Sequence, residues 1–141
     1  RRRAIFDPYH DRITAVLDAR KAAGRPTVLV ALHSFTPVCA GIVRRWHIGT
    51  LYQHDRMLPP LLLKALSAVP DLVVGDNQPY AVGNGTDYTI PVHGEGRGLI
   101  TSGIEIRQNE IADPEGQQRW AERLIRILGD IEAELRNKGL V

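Results

Sequence analysis

The hydrophobic pattern of the chain alternates between helical stripes and short continuous apolar runs. Helical spacing predicts helices over residues 8–23 and 57–69, and a longer amphipathic helix that begins at residues 113–114. Residues 27–32, TVLVAL, form an apolar run without alternation, which is typical of a strand buried on both faces. The remaining predicted elements are strands over residues 46–52, 72–74 and 99–107 and a short helix over residues 87–93.

This order of elements predicts the fold class. Strands that alternate with helices indicate an α/β fold, a three-layer sandwich in which helices flank a mainly parallel or mixed sheet. With 141 residues, the chain is long enough for one hydrophobic core and too short for two ordinary domains. We therefore expect residues 1–141 to form a single domain.

Composition excludes several functional classes. The apolar fraction of 43% is that of a folded chain, and the net charge of +2 comes without a basic stripe with interleaved aromatics, which argues against nucleic acid as a partner. The longest apolar run, residues 58–63, contains two prolines and is too short to cross a bilayer, so no membrane partner is expected. The single cysteine, Cys39, fits a reducing compartment and predicts a cytoplasmic location. The oligomeric state stays open.

His33 is the first candidate for chemistry. It directly follows the run TVLVAL, at the carboxyl end of a strand, where ligands of open α/β sheets gather. A neutral imidazole at that point is well placed to bind a metal. A strand-end histidine that bonds a nearby carbonyl explains the position equally well.

Glu105 is the stronger candidate. In its predicted strand, Ile104 and Ile106 point to one face, and Glu105 and Arg107 point to the other. In a central strand both charges leave bulk water, which is costly unless they are paired or bind a ligand. In an edge strand they would only form a solvated polar face. The small and apolar approach over residues 99–103 favours the central position.

Two further segments carry polar side chains. Asn77 and Tyr80 follow another strand end, where an amide and a phenol suit substrate binding, although a plain turn is the simpler explanation when they are taken alone. His93 opens the segment HGEGRG, residues 93–98, whose glycines indicate close backbone approach or a flexible loop. Its glycine spacing is not that of a dinucleotide site.

Taken together, six motifs resemble those of the N-formylglutamate amidohydrolase family. They are DPYH at residues 7–10, HSFTP at 33–37, RWHIG with LY at 45–52, DNQPY at 76–80, HGEGRG at 93–98 and IEIRQ at 104–108. Any one of these is a weak signal, whereas six in order over almost the whole chain are specific. The resemblance implies a fold akin to the zinc carboxypeptidases.

The resemblance also implies a reaction. It is hydrolysis of an N-acyl amino acid, in the named case N-formyl-L-glutamate to formate and L-glutamate, with a divalent metal, zinc, as cofactor. His33 matches a metal-binding histidine of the wider group, and Glu105 matches its proton-transferring glutamate. Arg107 would stabilise the oxyanion, hold the substrate carboxylate or orient Glu105. The charges of Arg97 and Arg107 favour an acidic substrate. The residues expected at the amino-acid end of the substrate are Asn77, Tyr80, His93 and Arg97.

One part of the family pattern is missing. The early histidine and carboxylate that complete the metal shell have no counterpart in this chain, so we expect it to be the C-terminal part of an amidohydrolase domain whose N-terminal segment is absent. Two alternatives stay open. The protein could deacylate another N-acyl amino acid, as an aspartoacylase-like enzyme does, or it could be a non-catalytic binding or assembly module that has lost its metal site.

Overall fold

The computed structural model describes residues 2–83 and 87–141. Its main elements are, in chain order, α1 (Asp7–Ala22), β1 (Val28–Phe35), β2 (Val38–Cys39), β3 (Ile42–Val43), β4 (Ile48–Leu51), α2 (Leu58–Ser67), β5 (Val74–Asp76), β6 (Ile100–Arg107) and α3 (Pro114–Asn137). Short helical segments add Arg2–Phe6, Thr89–Gly94, Glu95–Arg97 and Gln108–Ile111. No described helix combines the length and the apolar composition that crossing a membrane requires.

The central sheet is mixed, which is one of the two arrangements that the sequence predicts. Its strands lie in the order β1–β6–β4–β5. The pairs β1–β6 and β4–β5 are parallel, whereas β4 and β6 are antiparallel. Strand β6 therefore lies inside the sheet, which confirms the central position expected for the strand that carries Glu105.

The prediction that residues 27–32 form a strand buried on both faces fails at Leu32, whereas Ala31 is buried and residues 28–30 are half-buried. Within the described residues, β1 pairs with β6 alone and forms an edge of the sheet. No described strand pairs with its free edge, and the side chain of Leu32 is 58% exposed. An apolar run predicts that a strand is buried in the whole protein, but it does not identify the elements that pack against the strand.

The main core lies between one face of the sheet and the helices α2 and α3. The strands contribute Ile48, Ile104 and Ile106 to this face. The apolar stripe of α3 supplies Trp120, Leu124, Ile127, Ile131 and Leu135, as its helical spacing predicts. Asp113 caps this helix, because its carboxylate accepts the backbone N–H of Gly116 at 2.7 Å.

The opposite face of the sheet is covered more thinly. There, Ala31, Leu51 and Ile90 form a small apolar cluster, in which Ile90 comes from the helical segment Thr89–Gly94. Helix α1 lies against this segment, through a contact between His10 and His93. Of the α1 side chains only Leu17 is buried, so this face leaves room for a cavity beside the strands.

Candidate active site

A cavity of about 540 Å³ opens on the thinly covered face of the sheet. Its walls combine apolar side chains, among them Leu51 and Ile90, with polar groups that can take part in chemistry. The polar groups are His33, Tyr80, Asp87 and Glu105. A volume of this size and a mixed lining are typical of sites for small molecules.

Glu105 is the buried carboxylate of this cavity. Its neighbours Ile104 and Ile106 enter the main core, so the strand alternation turns Glu105 to the cavity side, where it is only 9% exposed. Its Oε2 atom has no hydrogen-bond partner in the described part of the protein. A buried carboxylate oxygen without a partner is costly in a folded protein, and it is therefore a marker of a group kept for a ligand or a reaction.

The pKa of Glu105 lies above the ordinary value for a glutamate. The main cause is desolvation by burial, which disfavours the charged form, and the negative charge of Asp87 acts in the same direction. Electrostatic interaction with the basic residues His33 and Arg44 opposes the shift in the pKa. A carboxylate with a raised pKa holds a proton more readily near neutral pH, which suits a group that accepts a proton and returns it.

His33 lies directly beside Glu105. The two residues are partners in the parallel ladder between β1 and β6, and the His33 side chain is exposed on the cavity side. The expected position of His33 just after the strand needs correction, because the ladder continues to the pair Phe35 and Arg107. The imidazole thus projects from a strand and not from a loop.

His33 can supply one metal ligand, but the described residues contain no group of three histidine, cysteine, aspartate or glutamate side chains that could hold a metal ion. The exposed imidazole and the unpartnered Glu105 oxygen are suitable chemistry for the edge of a metal site. They do not form a complete shell in the described part of the chain.

Tyr80 reaches the same cavity. Its hydroxyl accepts a hydrogen bond from Nη1 of Arg44 at 2.7 Å, and the Arg44 guanidinium carbon lies 4.7 Å from the centre of the Tyr80 ring. The side chain is 44% exposed, so the phenol stands at the mouth of the cavity and not at its base. Of the four residues expected at the amino-acid end of the substrate, Tyr80 alone lines this cavity.

Asn77 forms the hydrogen bonds of a turn and does not line the cavity. It adopts a left-handed backbone conformation with φ 49°, and its Oδ1 accepts the backbone N–H of Tyr52 at 2.9 Å. Its own N–H donates to the carbonyl of Thr50. The next residue packs so closely on β4 that a Cβ atom at Gly49 would lie 1.8 Å from the carbonyl oxygen of Gln78. These contacts are those of a turn, the simpler of the two explanations.

Arg107 is held outside the cavity. Its guanidinium forms an ion pair with Glu110 at 2.9 Å and donates to Oδ1 of Asn109 at 2.8 Å. It also donates to the backbone carbonyls of Arg44 and Arg45. Alternation places it on the same side of the strand as Glu105, but a long side chain at the strand end reaches the nearest acceptors. The basic residues whose electrostatic effect lowers the pKa of Glu105 are His33 and Arg44.

His93 and Arg97 face α1. His93 is 2% exposed, with its Nε2 atom 2.9 Å from Nδ1 of His10, and its Nδ1 atom has no described partner. Burial lowers the pKa of His93, and the charges of His10 and Arg97 lower it further. Arg97 forms an ion pair with Asp18 at 2.6 Å and lines a separate cavity. Neither residue reaches the cavity of Glu105.

The hydrogen bonds of Glu95 account for the segment HGEGRG better than substrate binding does. Its Oε1 atom accepts the backbone N–H groups of three consecutive residues, at 3.2, 2.6 and 2.9 Å. The donors are Gln53, His54 and Asp55. The glycine before it is required by close approach, because a Cβ atom at Gly94 would lie 2.5 Å from Oγ1 of Thr101. Close backbone approach thus explains Gly94 and also Gly96, where a Cβ atom would lie 2.8 Å from the carbonyl oxygen of Pro91, whereas Gly98 has φ 68° and open space around it.

The sequence analysis missed two residues of the site. Asp87 lines the cavity and starts the segment Thr89–Gly94, because its Oδ1 accepts the backbone N–H of Ile90 at 3.1 Å. An aspartate at a predicted helix start was a usable signal, although it pointed to capping and not to a site. Arg44 contacts Tyr80 across 36 residues of sequence, and no local pattern announces such a contact.

Comparison with known proteins agrees with this geometry. The family model for N-formylglutamate amidohydrolase matches residues 1–112. A crystal structure of a gene product from Agrobacterium tumefaciens is similar over 96% of this chain, with 34% sequence identity and a TM-score of 0.89. The match covers 53% of that protein, so this chain spans about half its length. A search of curated proteins found no match.

Proposed function

Because the chain belongs to the N-formylglutamate amidohydrolase family, a family of hydrolases that act on carbon–nitrogen bonds, we propose that it is part of a metal-dependent amidase. The proposed substrate is an N-acyl amino acid, first of all N-formyl-L-glutamate, which is cleaved to formate and L-glutamate. The observation that carries this proposal is Glu105. It is a buried carboxylate with an unpartnered oxygen, beside an exposed histidine, in a cavity of suitable size.

Glu105 is the proposed acid–base group. Its carboxylate accepts a proton from the water that attacks the acyl carbon. It then returns the proton to the amide nitrogen as the carbon–nitrogen bond breaks, so that the amino acid leaves as an amine. Proton transfer of this kind contributes about two to four orders of magnitude to a rate. The raised pKa of Glu105 supports both halves of the cycle.

The proposed metal ligand of this chain is His33. A bound divalent ion, zinc by the resemblance, would polarise the acyl carbonyl and acidify water. The other ligands are proposed to come from a part of the protein outside these 141 residues. The outer edge of β1 supports this arrangement, because its backbone has no described neighbour and Leu32 is exposed beside His33.

His33→Ala in the full-length protein tests the metal assignment. We expect bound metal, measured by elemental analysis, to fall well below the wild-type content while the far-UV circular dichroism stays close to wild type. His54→Ala is the matched control, because His54 is also an exposed histidine but does not line the cavity. Metal content that is equal in all three proteins would remove His33 from the metal site.

The incomplete ligand set of the described residues favours a second candidate, a non-catalytic module. Formate release from N-formyl-L-glutamate by the full-length protein separates it from the amidase. A panel of N-formyl and N-acetyl amino acids in the same assay separates the proposed enzyme from an aspartoacylase-like deacylase. Turnover of none of these substrates, by full-length protein that also binds no divalent metal, would support the binding module.

A further inference from the structure

We propose that Arg44 binds a carboxylate of the substrate at the mouth of the Glu105 cavity. This inference rests on the proposed function, and it assigns to Arg44 the recognition of an acidic substrate that the sequence had suggested for Arg97 and Arg107. It also predicts which acylated amino acids the enzyme accepts. They are those that carry a free carboxylate within reach of Arg44 when the acyl group lies near Glu105.

The position of Arg44 is fixed by aromatic contacts. Its guanidinium carbon lies 4.7 Å from the ring centre of Tyr80 and 5.9 Å from that of Phe35. Its Nη1 atom donates to the Tyr80 hydroxyl at 2.7 Å. Because Tyr80 lines the cavity, these contacts hold a positive charge at the cavity mouth.

Among the residues that the structure describes, no carboxylate is paired with the charge of Arg44. Arg97 is paired with Asp18 and Arg107 with Glu110, whereas the described residues place no carboxylate within ion-pair distance of Arg44. Its charge nevertheless reaches Glu105, whose pKa it lowers against the stronger effect of burial. Because Arg44 contacts Tyr80, which lines the same cavity as Glu105, an anion bound to Arg44 would lie close to the proposed reaction centre.

The hydrogen bonds of Arg44 leave one side of its guanidinium available. In the described part of the chain all of them leave from Nη1, the short one to Tyr80 and two long ones of 3.5 Å to Thr36. Nε and Nη2 together form the fork that binds a carboxylate through two parallel hydrogen bonds. A flexible surface arginine would lose side-chain entropy on binding, but Arg44 is already oriented by the two rings.

The test measures substrate preference in the full-length protein. The substrates are N-formyl-L-glutamate and two neutralised analogues, one with the α-carboxylate and one with the side-chain carboxylate converted to an amide. For Arg44→Gln we expect kcat/KM on N-formyl-L-glutamate to fall roughly 10- to 100-fold, because a charge-assisted hydrogen-bonded pair is lost. The wild-type preference for the acid over one of the two amides should disappear, and that amide identifies the carboxylate bound by Arg44.

Two further variants distinguish the loss of an anion site from a loss of folding. Arg44→Lys keeps the charge without the planar fork, and we expect an intermediate loss. Arg45→Gln is the matched control, because Arg45 is the exposed neighbour whose guanidinium lies over Trp46. The substrate preference of this variant should equal that of the wild type. If folded Arg44→Gln and Arg44→Lys keep the full preference for the acid over both amides, the inference is overturned.

A binding measurement separates this inference from the proposed function. If the wild type hydrolyses none of the three compounds, the proposed function fails, and Arg44 is then tested by calorimetric titration with L-glutamate. Binding by the wild type that weakens at least about 10-fold in Arg44→Gln supports the anion site. Equal binding by both proteins, or binding by neither, overturns it.

Discussion

Two glutamates on neighbouring elements of this chain show how differently the same side chain can be used. Glu95 lies in the HGEGRG segment, and one of its oxygens accepts three backbone N–H groups. Glu105 lies in β6, and one of its oxygens has no described partner. Glu95 is therefore suited to hold a loop in place, whereas Glu105 is left available to act on something that enters the cavity.

The two environments shift the pKa values in opposite directions. Burial is the largest influence on both groups and favours the neutral form. At Glu95 the three backbone N–H groups outweigh burial and bring the pKa below the ordinary value. At Glu105 burial prevails and the pKa is raised. The number of hydrogen bonds that each carboxylate accepts decides the direction.

The largest effect is expected for Glu105→Gln in the full-length protein. Removing the base while keeping the shape should lower kcat about 100-fold or more, with substrate binding preserved. The thermal midpoint should not fall, because the variant replaces a buried charge that lacks a full set of partners with a neutral group. Normal turnover with a strongly lowered thermal midpoint would instead mean that Glu105, like Glu95, has a structural role.

A smaller effect of the opposite kind is expected for Glu95→Ala. Three backbone N–H groups lose their acceptor, so the free energy of unfolding should fall by roughly 1–3 kcal/mol, measured by urea denaturation. Turnover should change far less than in Glu105→Gln. Glu122→Ala is the control, because Glu122 lies on the exposed face of α3 and accepts one hydrogen bond, from Gln118. A stability loss no larger than in this control would contradict the role of Glu95.

The sequence could predict what depends on periodicity. The stripe of α3 and the alternation of Ile104, Glu105 and Ile106 both follow from the spacing of apolar residues, and the structure has them. Alternation also identified the side of β6 that faces the cavity. These features are local, because each is set by residues a few positions apart.

The sequence could not predict which distant groups meet. The three N–H groups that bind Glu95 lie 40 to 42 residues before it, and the carbonyl of Arg44 that holds Arg107 lies 63 residues away. Alternation gives the face of a strand, but it does not give the partner that a long arginine reaches beyond the strand end. Arg107 was for this reason placed in the site, and Arg44 was overlooked.

The smallest effect, and the finest test of the comparison, is the pH dependence of the Glu95 contribution. The pKa of Glu95 in the folded protein lies below the ordinary value of 4.5, so the unfolded chain takes up the proton first as the pH falls. Its stabilising effect is therefore complete above about pH 4.5 and is lost as the pH falls through the pKa of the folded protein.

Urea denaturation of the wild type and of Glu95→Gln from about pH 7 to about pH 3 should show a difference in the free energy of unfolding that is constant at first and then shrinks. His93, whose pKa is lowered chiefly by burial, destabilises both proteins alike on acidification, so its contribution cancels in the difference. A difference that persists undiminished at the lowest pH would mean that Glu95 holds the loop by its shape and not by its charge.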